Sequence, residues 1–500
     1  MTGNSPRAAR VRFEKRPRRT PFSRRLAWLA TLVPALLIVA PAVQSASLIR
    51  GDVGPRLPPN IGPRSNPIDT VGPRFDPTFH RLPNGDGQIG GGSSGGSSAG
   101  NSGGGTGGTQ AHQTRRARSG APAGGPRNFI PDEVVFELNG NRSNQQLIGL
   151  LNRLRLTLLE TRPIPLINTT FYRARILDGT AVPAKMRVAA RTGAFRTLQP
   201  NYLFRMVQAT AGSPAAPVAD PTQYAAAKLR LDEAHGLARG DNVPVAIIDS
   251  GIDVGHPELA GVVEKSFDAL GSSNGSHSHG TAIAGIIAGH ARLDGAAPAV
   301  RILAARAFSD AQGSTVSIIA SVDWAAAQGA RVINMSFAGP SDPALGRVLA
   351  AAHQKGIVLV AASGNAGPKS PPLWPAADPN VIAVTATDYA DHLFKMANRG
   401  SHVAIAAPGV DILVANPGGT YKLESGTSFS AAFVSGVAAL VLERKPDLTP
   451  DAVKAVLLAT AHDLGPKGRD DLFGAGLMDA FQAVEAVAKP ADAALQMPVR

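Results

Sequence analysis

The chain has 500 residues, of which 44% are hydrophobic, with no cysteine and a formal net charge of +13. This length suggests two or three folded units, and the lack of cysteine excludes disulfides, thiolate metal sites and cysteine nucleophiles. The positive charge is uneven: residues 1–25 carry +8, residues 26–127 carry +5, residues 128–208 carry +6 and residues 209–500 carry −6. Nucleic-acid binding uses basic residues on a folded face, so this distribution predicts no nucleic-acid partner.

The first 46 residues have the pattern of an export signal. A basic stretch over 1–25 is followed by an apolar run from Leu26 to Val43 and then by small residues up to Ala46. The alternative is an uncleaved anchor, because a spanning helix needs roughly 18–20 apolar residues. Two prolines within the run favour the cleaved signal. We therefore expect secretion or a periplasmic location, with membrane attachment through residues 26–46 as the alternative.

Residues 47–127 are predicted to be a disordered linker. Gly-Pro-Arg occurs three times, first at Gly54–Arg56, and a run of glycine and serine follows at about 88–109. Such a segment has too few large apolar residues to offset the entropy lost on ordering.

Residues 128–208 are predicted to form a small α+β domain. Leucines at helical spacing indicate a helix over Asn144–Leu158, and a second helix is predicted over Val182–Thr192. Three apolar runs predict strands, at Glu133–Leu138, Phe171–Ile176 and Tyr202–Val207.

From Pro244 onwards, short apolar runs alternate with helical patterns, within a domain predicted at 222–488. Such runs predict a largely parallel sheet with helices on both faces, in which reactive groups gather at the carboxyl ends of strands. The predicted strands are Val245–Ile248, Ile302–Ala307, Val332–Met335, Ile357–Ala362, Val381–Ala386 and Val403–Ala406, with helices including Val316–Gln328 and Pro343–Gln354.

Three segments of this domain contain side chains suited to nucleophilic catalysis. Asp249 ends the apolar run Val245–Ile248, and His279 opens a small-residue helix that begins His-Gly-Thr. Ser428 lies in a Ser-Gly-Thr-Ser segment at the start of a long apolar helix, where backbone N–H groups can stabilise a developing oxyanion. Each residue alone is more typical of a cap or a turn, so only their combination is informative.

In this chain order the three segments resemble the subtilisin family of serine peptidases (subtilases). The resemblance covers about 222–488 and implies a subtilisin-like α/β fold and a serine endopeptidase acting on polypeptides. It implies that Ser428 attacks the scissile carbonyl, that His279 transfers the proton, and that Asp249 orients His279. In the Ser-Gly-Asn segment after a buried strand, it makes Asn365 a donor to the oxyanion.

An active peptidase has two alternatives. An inactive homologue that serves as a binding module is the alternative, although all four catalytic positions are occupied. A lipase or esterase would carry Gly-x-Ser-x-Gly with serine first in chain order, and neither condition holds.

The resemblance also implies which residues bind substrate. They are Ser336, Phe337, Ala338 and Gly339 on a strand that pairs with the substrate backbone, together with Ala362, Ser363, Gly364 and Leu373. Ala338 stands where the family often has glycine, and Leu373 where it often has a small residue. We therefore predict a reduced pocket that prefers small or medium apolar side chains at P1, the residue before the cleaved bond.

No cofactor and no metal ligand are assigned. Many relatives carry a calcium-binding loop, but the corresponding segment here, 289–298, is short and poor in oxygen ligands. Glu258 matches one family ligand position, and one carboxylate is little for an ion that needs about 6–8 oxygens. Calcium dependence is left open, with no assignable site.

The unit at 128–208 resembles the ferredoxin-like propeptide that precedes many subtilisins. Its charge of +6 is complementary to the −6 of residues 209–500, which would assist association. By resemblance it is a folding chaperone and intramolecular inhibitor, with cleavage expected at about 208–220. The alternative is a permanent accessory domain.

Overall fold

The computed structural model describes residues 118–119, 128–207, 223–271 and 278–488. The predicted leader at 1–46 and nearly all of the predicted linker at 47–127 lie outside these ranges. Within them, no helix combines the length and apolar character that crossing a bilayer requires.

The N-terminal domain, residues 128–207, is an antiparallel sheet with two helices. Its strands follow the order β3-β4-β2-β5, and β1 pairs in parallel with β5. This is the βαββαβ ferredoxin-like arrangement that was predicted. The elements are β1 (Arg118–Ser119), β2 (Phe129–Leu138), α1 (Asn144–Arg153), β3 (Leu156–Ile164), β4 (Thr169–Ile176), α2 (Val182–Ala190) and β5 (Phe195–Met206).

The helix α1 ends earlier than its leucine spacing predicts. It begins at a capping box in which Ser143 and Gln146 bond each other's backbone N–H groups. Arg155 then takes a left-handed conformation with φ 54°, which ends the helix. Leu158, predicted to be helical, instead lies in β3 with 38% of its surface exposed.

The C-terminal domain, residues 223–488, contains the predicted parallel sheet. Its elements are α3 (Tyr224–Leu229), α4 (Leu231–His235), β6 (Pro244–Asp249), β7 (Val263–Asp268), α5 (Ser278–Ala288), β8 (Arg301–Arg306), β9 (Phe308–Ser309), β10 (Gln312–Ser314), α6 (Thr315–Ala327), β11 (Val332–Met335), β12 (Phe337–Ala338), α7 (Pro343–Gln354), β13 (Val358–Ala362), β14 (Val381–Thr387), β15 (Val403–Pro408), β16 (Ile412–Asn416), β17 (Thr420–Glu424), α8 (Thr427–Arg444), α9 (Pro450–Ala459) and α10 (Ala480–Ala488).

The described residues of this domain form a seven-stranded sheet in the order β15-β14-β13-β11-β6-β8-β7, with every neighbouring pair parallel. One face packs against α5 and α8, through side chains such as Ile283 and Val434. The other face packs against α6 and α7, and that apolar cluster continues into the N-terminal domain. The predicted α/β class is confirmed.

Candidate active site

Asp249 and His279 meet at the carboxyl end of the parallel sheet. Asp249 is the last residue of β6, which lies between β11 and β8, and His279 is the second residue of α5. His279 Nδ1 lies 2.9 Å from each carboxylate oxygen of Asp249. Only 1% of Asp249 and 4% of His279 is exposed, so this contact is shielded from water.

The helix that carries His279 approaches the sheet closely at Gly280. A Cβ atom there would lie 2.7 Å from the Gly251 carbonyl oxygen, so only glycine fits. Ser250 completes the junction. Its N–H and hydroxyl donate to Asp249 Oδ1 at 2.7 and 3.2 Å, and its hydroxyl oxygen accepts from the Gly280 N–H at 3.1 Å. The sequence interpretation did not single out Ser250.

Ser428 is the second residue of the buried helix α8 and is itself fully buried. Its hydroxyl donates to the Val207 carbonyl at 2.8 Å, with the Ser336 carbonyl 3.2 Å away. His279 Nε2 is buried and has no hydrogen-bond partner among the described residues. The hydroxyl is therefore directed at the end of the N-terminal domain.

Asn365 faces the same carbonyl oxygen. Its Nδ2 donates to Val207 O at 3.4 Å, while its Oδ1 accepts from the N–H and hydroxyl of Thr427 at 3.1 and 2.9 Å. Thr427, which the sequence interpretation missed, thereby fixes which end of the Asn365 amide faces the Val207 carbonyl oxygen. A Cβ on Gly426 would lie 2.8 Å from Asn365 Nδ2, so glycine is needed for this approach.

The last residues of the N-terminal domain run as an extended strand through a cleft between β10 and β12. β5 pairs antiparallel with β10 on one side and with β12, which contains Phe337 and Ala338, on the other. The Val207 N–H donates to Ser336 O at 3.2 Å, and the Met206 N–H donates to Ala311 O at 3.0 Å. The predicted substrate-pairing strand is therefore paired with a segment of the chain itself.

An aromatic pocket, not predicted from the sequence, holds Phe204. This side chain is fully buried and meets Phe337 edge-on, with ring centroids 5.9 Å apart. Phe308 also packs against Phe337, with ring centroids 4.9 Å apart. A Cβ on Gly339 would collide with the Phe204 ring, so the glycine leaves room for it.

The remaining predicted substrate-binding residues lie beside Asn365. Ala362 and Ser363 are fully buried. Leu373 lies 3.3 Å from where a Cβ on Gly364 would be. Asn398 supports this segment, since its Nδ2 donates to Ser363 O at 3.0 Å and its Oδ1 accepts from the Ala366 N–H at 2.9 Å.

Glu258 is not arranged to bind a cation. Its carboxylate accepts the Ala291, Arg292 and Leu293 N–H groups at 2.7–3.2 Å and the Tyr421 hydroxyl at 2.7 Å. Burial alone would raise the pKa of Glu258, but these hydrogen bonds hold it below its ordinary value. A carboxylate surrounded by donors does not fit Ca²⁺, which needs oxygen ligands on all sides.

Comparison with known proteins agrees with the fold. The Subtilase family model matches residues 240–476. Thermitase of Thermoactinomyces vulgaris is 33% identical over 282 residues, which are 55% of this chain and 99% of thermitase. Subtilisin of Bacillus pumilus is 36% identical over 279 residues, which are 53% of this chain and 100% of that subtilisin.

A solved structure supports the same fold. Fervidolysin from Fervidobacterium pennivorans, described as a keratinolytic enzyme related to subtilisin, superposes with a TM-score of 0.64 at 24% identity. The match covers 74% of this chain and 63% of fervidolysin. The fold and the matched relatives define a serine peptidase of the subtilisin type. This chain belongs to the subtilase family and is a subtilisin-like serine endopeptidase.

Proposed function

We propose that Asp249, His279 and Ser428 form the catalytic triad and that Asn365 completes the oxyanion hole. Ser428 Oγ attacks the carbonyl carbon of the scissile peptide bond while His279 Nε2 takes the hydroxyl proton. Asp249 holds the ring through Nδ1 and stabilises its charged form. The 2.9 Å contacts between Asp249 and His279 support this assignment.

The tetrahedral oxyanion is stabilised by Asn365 Nδ2 and the Ser428 N–H. When the intermediate collapses, the C–N bond breaks, and His279 returns its proton to the leaving amine. Water then attacks the acyl-enzyme ester by the same proton path, which releases the acid and regenerates Ser428. The 3.4 Å separation of Asn365 Nδ2 from the Val207 carbonyl oxygen supports this role.

We infer that the enzyme is made as a self-processing zymogen cleaved between Val207 and Gln208. The observation that carries this proposal is the Val207 carbonyl oxygen, which lies 2.8 Å from Ser428 Oγ and also faces Asn365. The Val207 N–H is paired with Ser336 O as a substrate backbone would be. This bond lies at the start of the segment expected from the sequence.

The N-terminal domain would then act as the intramolecular inhibitor. Its role is supported by polar contacts on the surface that covers α6 and α7. Glu137 pairs with Arg347 at 2.9 Å, and Gln199 Nε2 donates to Asp342 at 2.8 Å. Together with the strand in the cleft, these contacts block access of other polypeptides to Ser428.

Expression of the unaltered chain and of the Ser428→Ala chain tests this proposal. The unaltered chain should hydrolyse casein and yield a fragment whose N-terminal residue is Gln208. The Ser428→Ala chain should remain uncut and inactive. A cut between Val207 and Gln208 that persists in the Ser428→Ala chain would exclude self-processing, and a different N-terminus would exclude this bond.

We also propose that the enzyme prefers small or medium apolar residues at P1 and an aromatic residue at P4. The first preference is supported by Leu373 beside Gly364 and by Val207, whose carbonyl oxygen lies next to Ser428 Oγ as that of a P1 residue would. The second is supported by the burial of Phe204 against Phe337. A peptide library read by mass spectrometry tests both, and dominance of Phe or Tyr at P1 would contradict the first.

Export is the remaining part of the proposal. It is supported by the basic, apolar and small-residue pattern of residues 1–46. The enzyme should accumulate outside the cytoplasm. Recovery of the uncut Ser428→Ala chain in the membrane fraction, with residues 26–46 still present, would favour the anchored alternative over the secreted or periplasmic form.

A further inference from the structure

A buried amide lies in the middle of the apolar strand β11. Asn334 is fully buried and is paired in register with Ile247 of β6 and Val360 of β13. Burying an amide is costly unless its donors and acceptors are satisfied. The catalytic steps above do not use Asn334, so its partners indicate what else it does.

Asn334 is the centre of a chain of hydrogen bonds that ends at the proposed nucleophile. The Ser336 hydroxyl donates to the Ser428 carbonyl at 3.1 Å. A carbonyl only accepts, so Ser336 uses its single hydrogen there and must accept from Asn334 Nδ2, which is 2.9 Å away. Asn334 Oδ1 consequently faces the Ser435 hydroxyl at 2.9 Å, and the single hydrogen of that hydroxyl is shared between Asn334 Oδ1 and the Ala431 carbonyl, which is also 2.9 Å away.

These hydrogen bonds run from Ser435 in α8 to Asn334 in β11, and from there through Ser336 back to Ser428 in the first turn of α8. All four residues are fully buried, so water does not compete for these bonds. Ser336 is also in contact with the bound strand, because its carbonyl accepts the Val207 N–H at 3.2 Å. One residue therefore links the backbone of the nucleophile to the backbone of the segment in the cleft.

We propose that Ser435 and Asn334 are positioning residues which, through Ser336, hold Ser428 in register with the bound substrate strand. This inference rests on the proposed role of Ser428 as the nucleophile. Acyl transfer requires the attacking oxygen to be aligned to within fractions of an ångström. Loss of these hydrogen bonds should slow the chemical step, whereas the backbone pairing that binds substrate is retained.

The substitution Ser435→Ala tests the proposal, with Ser321→Ala as a matched control. Ser435 and Ser321 are both fully buried helical hydroxyls that also bond the carbonyl four residues earlier, each at 2.9 Å. Only Ser435 reaches Asn334. We expect Ser435→Ala to lower kcat about 3–10-fold, as loss of one buried hydrogen bond allows, with KM changed less than about twofold. Ser321→Ala should leave both unchanged, with a similar shift in Tm.

Two further variants separate positioning from a general loss of stability. Ser435→Thr retains the hydroxyl and should restore kcat. In a Ser336→Ala background, Ser435→Ala should have little further effect on kcat, because the series of hydrogen bonds from Ser435 to Ser428 is already interrupted. If kcat in Ser435→Ala equals that of Ser321→Ala, or if the Ser336 and Ser435 effects are additive, the positioning role is wrong.

Fluorophosphonate labelling of the unaltered enzyme separates this inference from the proposed function. Labelling at Ser428 that is slower in Ser435→Ala supports both. Labelling at Ser428 at equal rates overturns the positioning role alone. Absence of labelling at Ser428 in the unaltered, processed enzyme overturns both.

Discussion

Asn365 illustrates how much of the site depends on a single side chain held by its neighbours. Its amide could face the cleft in either orientation, and the two bonds from Thr427 to Oδ1 select the one that presents Nδ2. The sequence identified Asn365 through the family pattern. It did not identify Thr427 in this role, because the two residues lie far apart in the chain and meet only when β13 and α8 pack together.

Replacing Asn365 by alanine should lower kcat about 10²–10³-fold with little change in KM, because the lost donor acts on charge that develops in the transition state. That range was measured in a subtilisin and is carried over through family membership. Steady-state kinetics on a peptide ester checks it. Asn416→Ala, which removes an exposed amide bonded to Thr420, is the control and should retain full activity. A loss below about tenfold in Asn365→Ala would argue against an oxyanion role.

Gly339 should determine tolerance for an aromatic P4 residue. A Cβ there collides with the ring position occupied by Phe204. Gly339→Ala should therefore reduce kcat/KM at least tenfold for a peptide with Phe at P4, and leave a peptide with Ala at P4 nearly unaffected. The two substrates control each other on one enzyme preparation. Equal losses on both would indicate damage to β12 rather than a filled pocket.

At the scale of elements, spacing alone predicts best where one period continues through a whole segment. The helix α7 has the predicted bounds, Pro343–Gln354, because Asp342 caps its start and its apolar face is regular. The helix α1 was predicted to be too long because Leu154 and Leu158 fit a helical period, whereas the left-handed Arg155 ends the helix. A single backbone conformation is not visible in side-chain periodicity.

The connection after α5 is organised by Glu258, and this has a testable pH dependence. Because the pKa of Glu258 is lowered in the folded state, its stabilisation is present above the unfolded-state pKa of about 4.3 and is lost as pH falls through the lower folded-state value. Glu258→Gln, made in a Ser428→Ala chain to prevent self-digestion, should cost about 2–3 kcal/mol at pH 7. The cost should shrink in acid.

Thermal unfolding at several pH values measures the Glu258 effect. Glu233→Gln is the control, since Glu233 is half exposed and its 3.2 Å pair with Arg230 lies on the surface. Such a pair contributes at most about 1 kcal/mol. A Glu258→Gln effect as small as that of Glu233→Gln, or one independent of pH, would contradict the arrangement of donors around this carboxylate.

At the scale of the whole molecule, the sequence predicted two domains but not how they join. The strand β5 pairs with β2 in its own domain and continues into the cleft between β10 and β12. The strands β10 and β12 lie more than a hundred residues from β5 in the chain. Pairing at that separation depends on the packed surfaces of both domains. The strand propensity of Tyr202–Val207 therefore does not identify the strands with which this segment pairs.

The burial of Asp342, next to Gln199 of the N-terminal domain, should make the stability of the folded chain depend on pH. Asp342 caps α7, accepts from Thr315 at 2.6 Å, and is covered by the N-terminal domain. Burial raises the pKa of Asp342 above its ordinary value, although hydrogen bonds from Thr315 and Gln199 oppose that shift. The stabilisation linked to a raised acid pKa is complete below the unfolded value, about 3.9, and is lost as pH rises through the folded value.

Asp342→Asn in the full-length Ser428→Ala chain isolates this contribution, because asparagine also caps helices but does not titrate. The Tm of Asp342→Asn minus that of its parent should become more positive between pH 4 and pH 8. Burial also raises the pKa of Asp323. Because Asp323 is present in both chains, its contribution to the Tm difference cancels. A difference that stays constant across this range would show that Asp342 is not linked to the proton. A rising difference would show that the folded chain loses stability through Asp342 between acid and neutral pH.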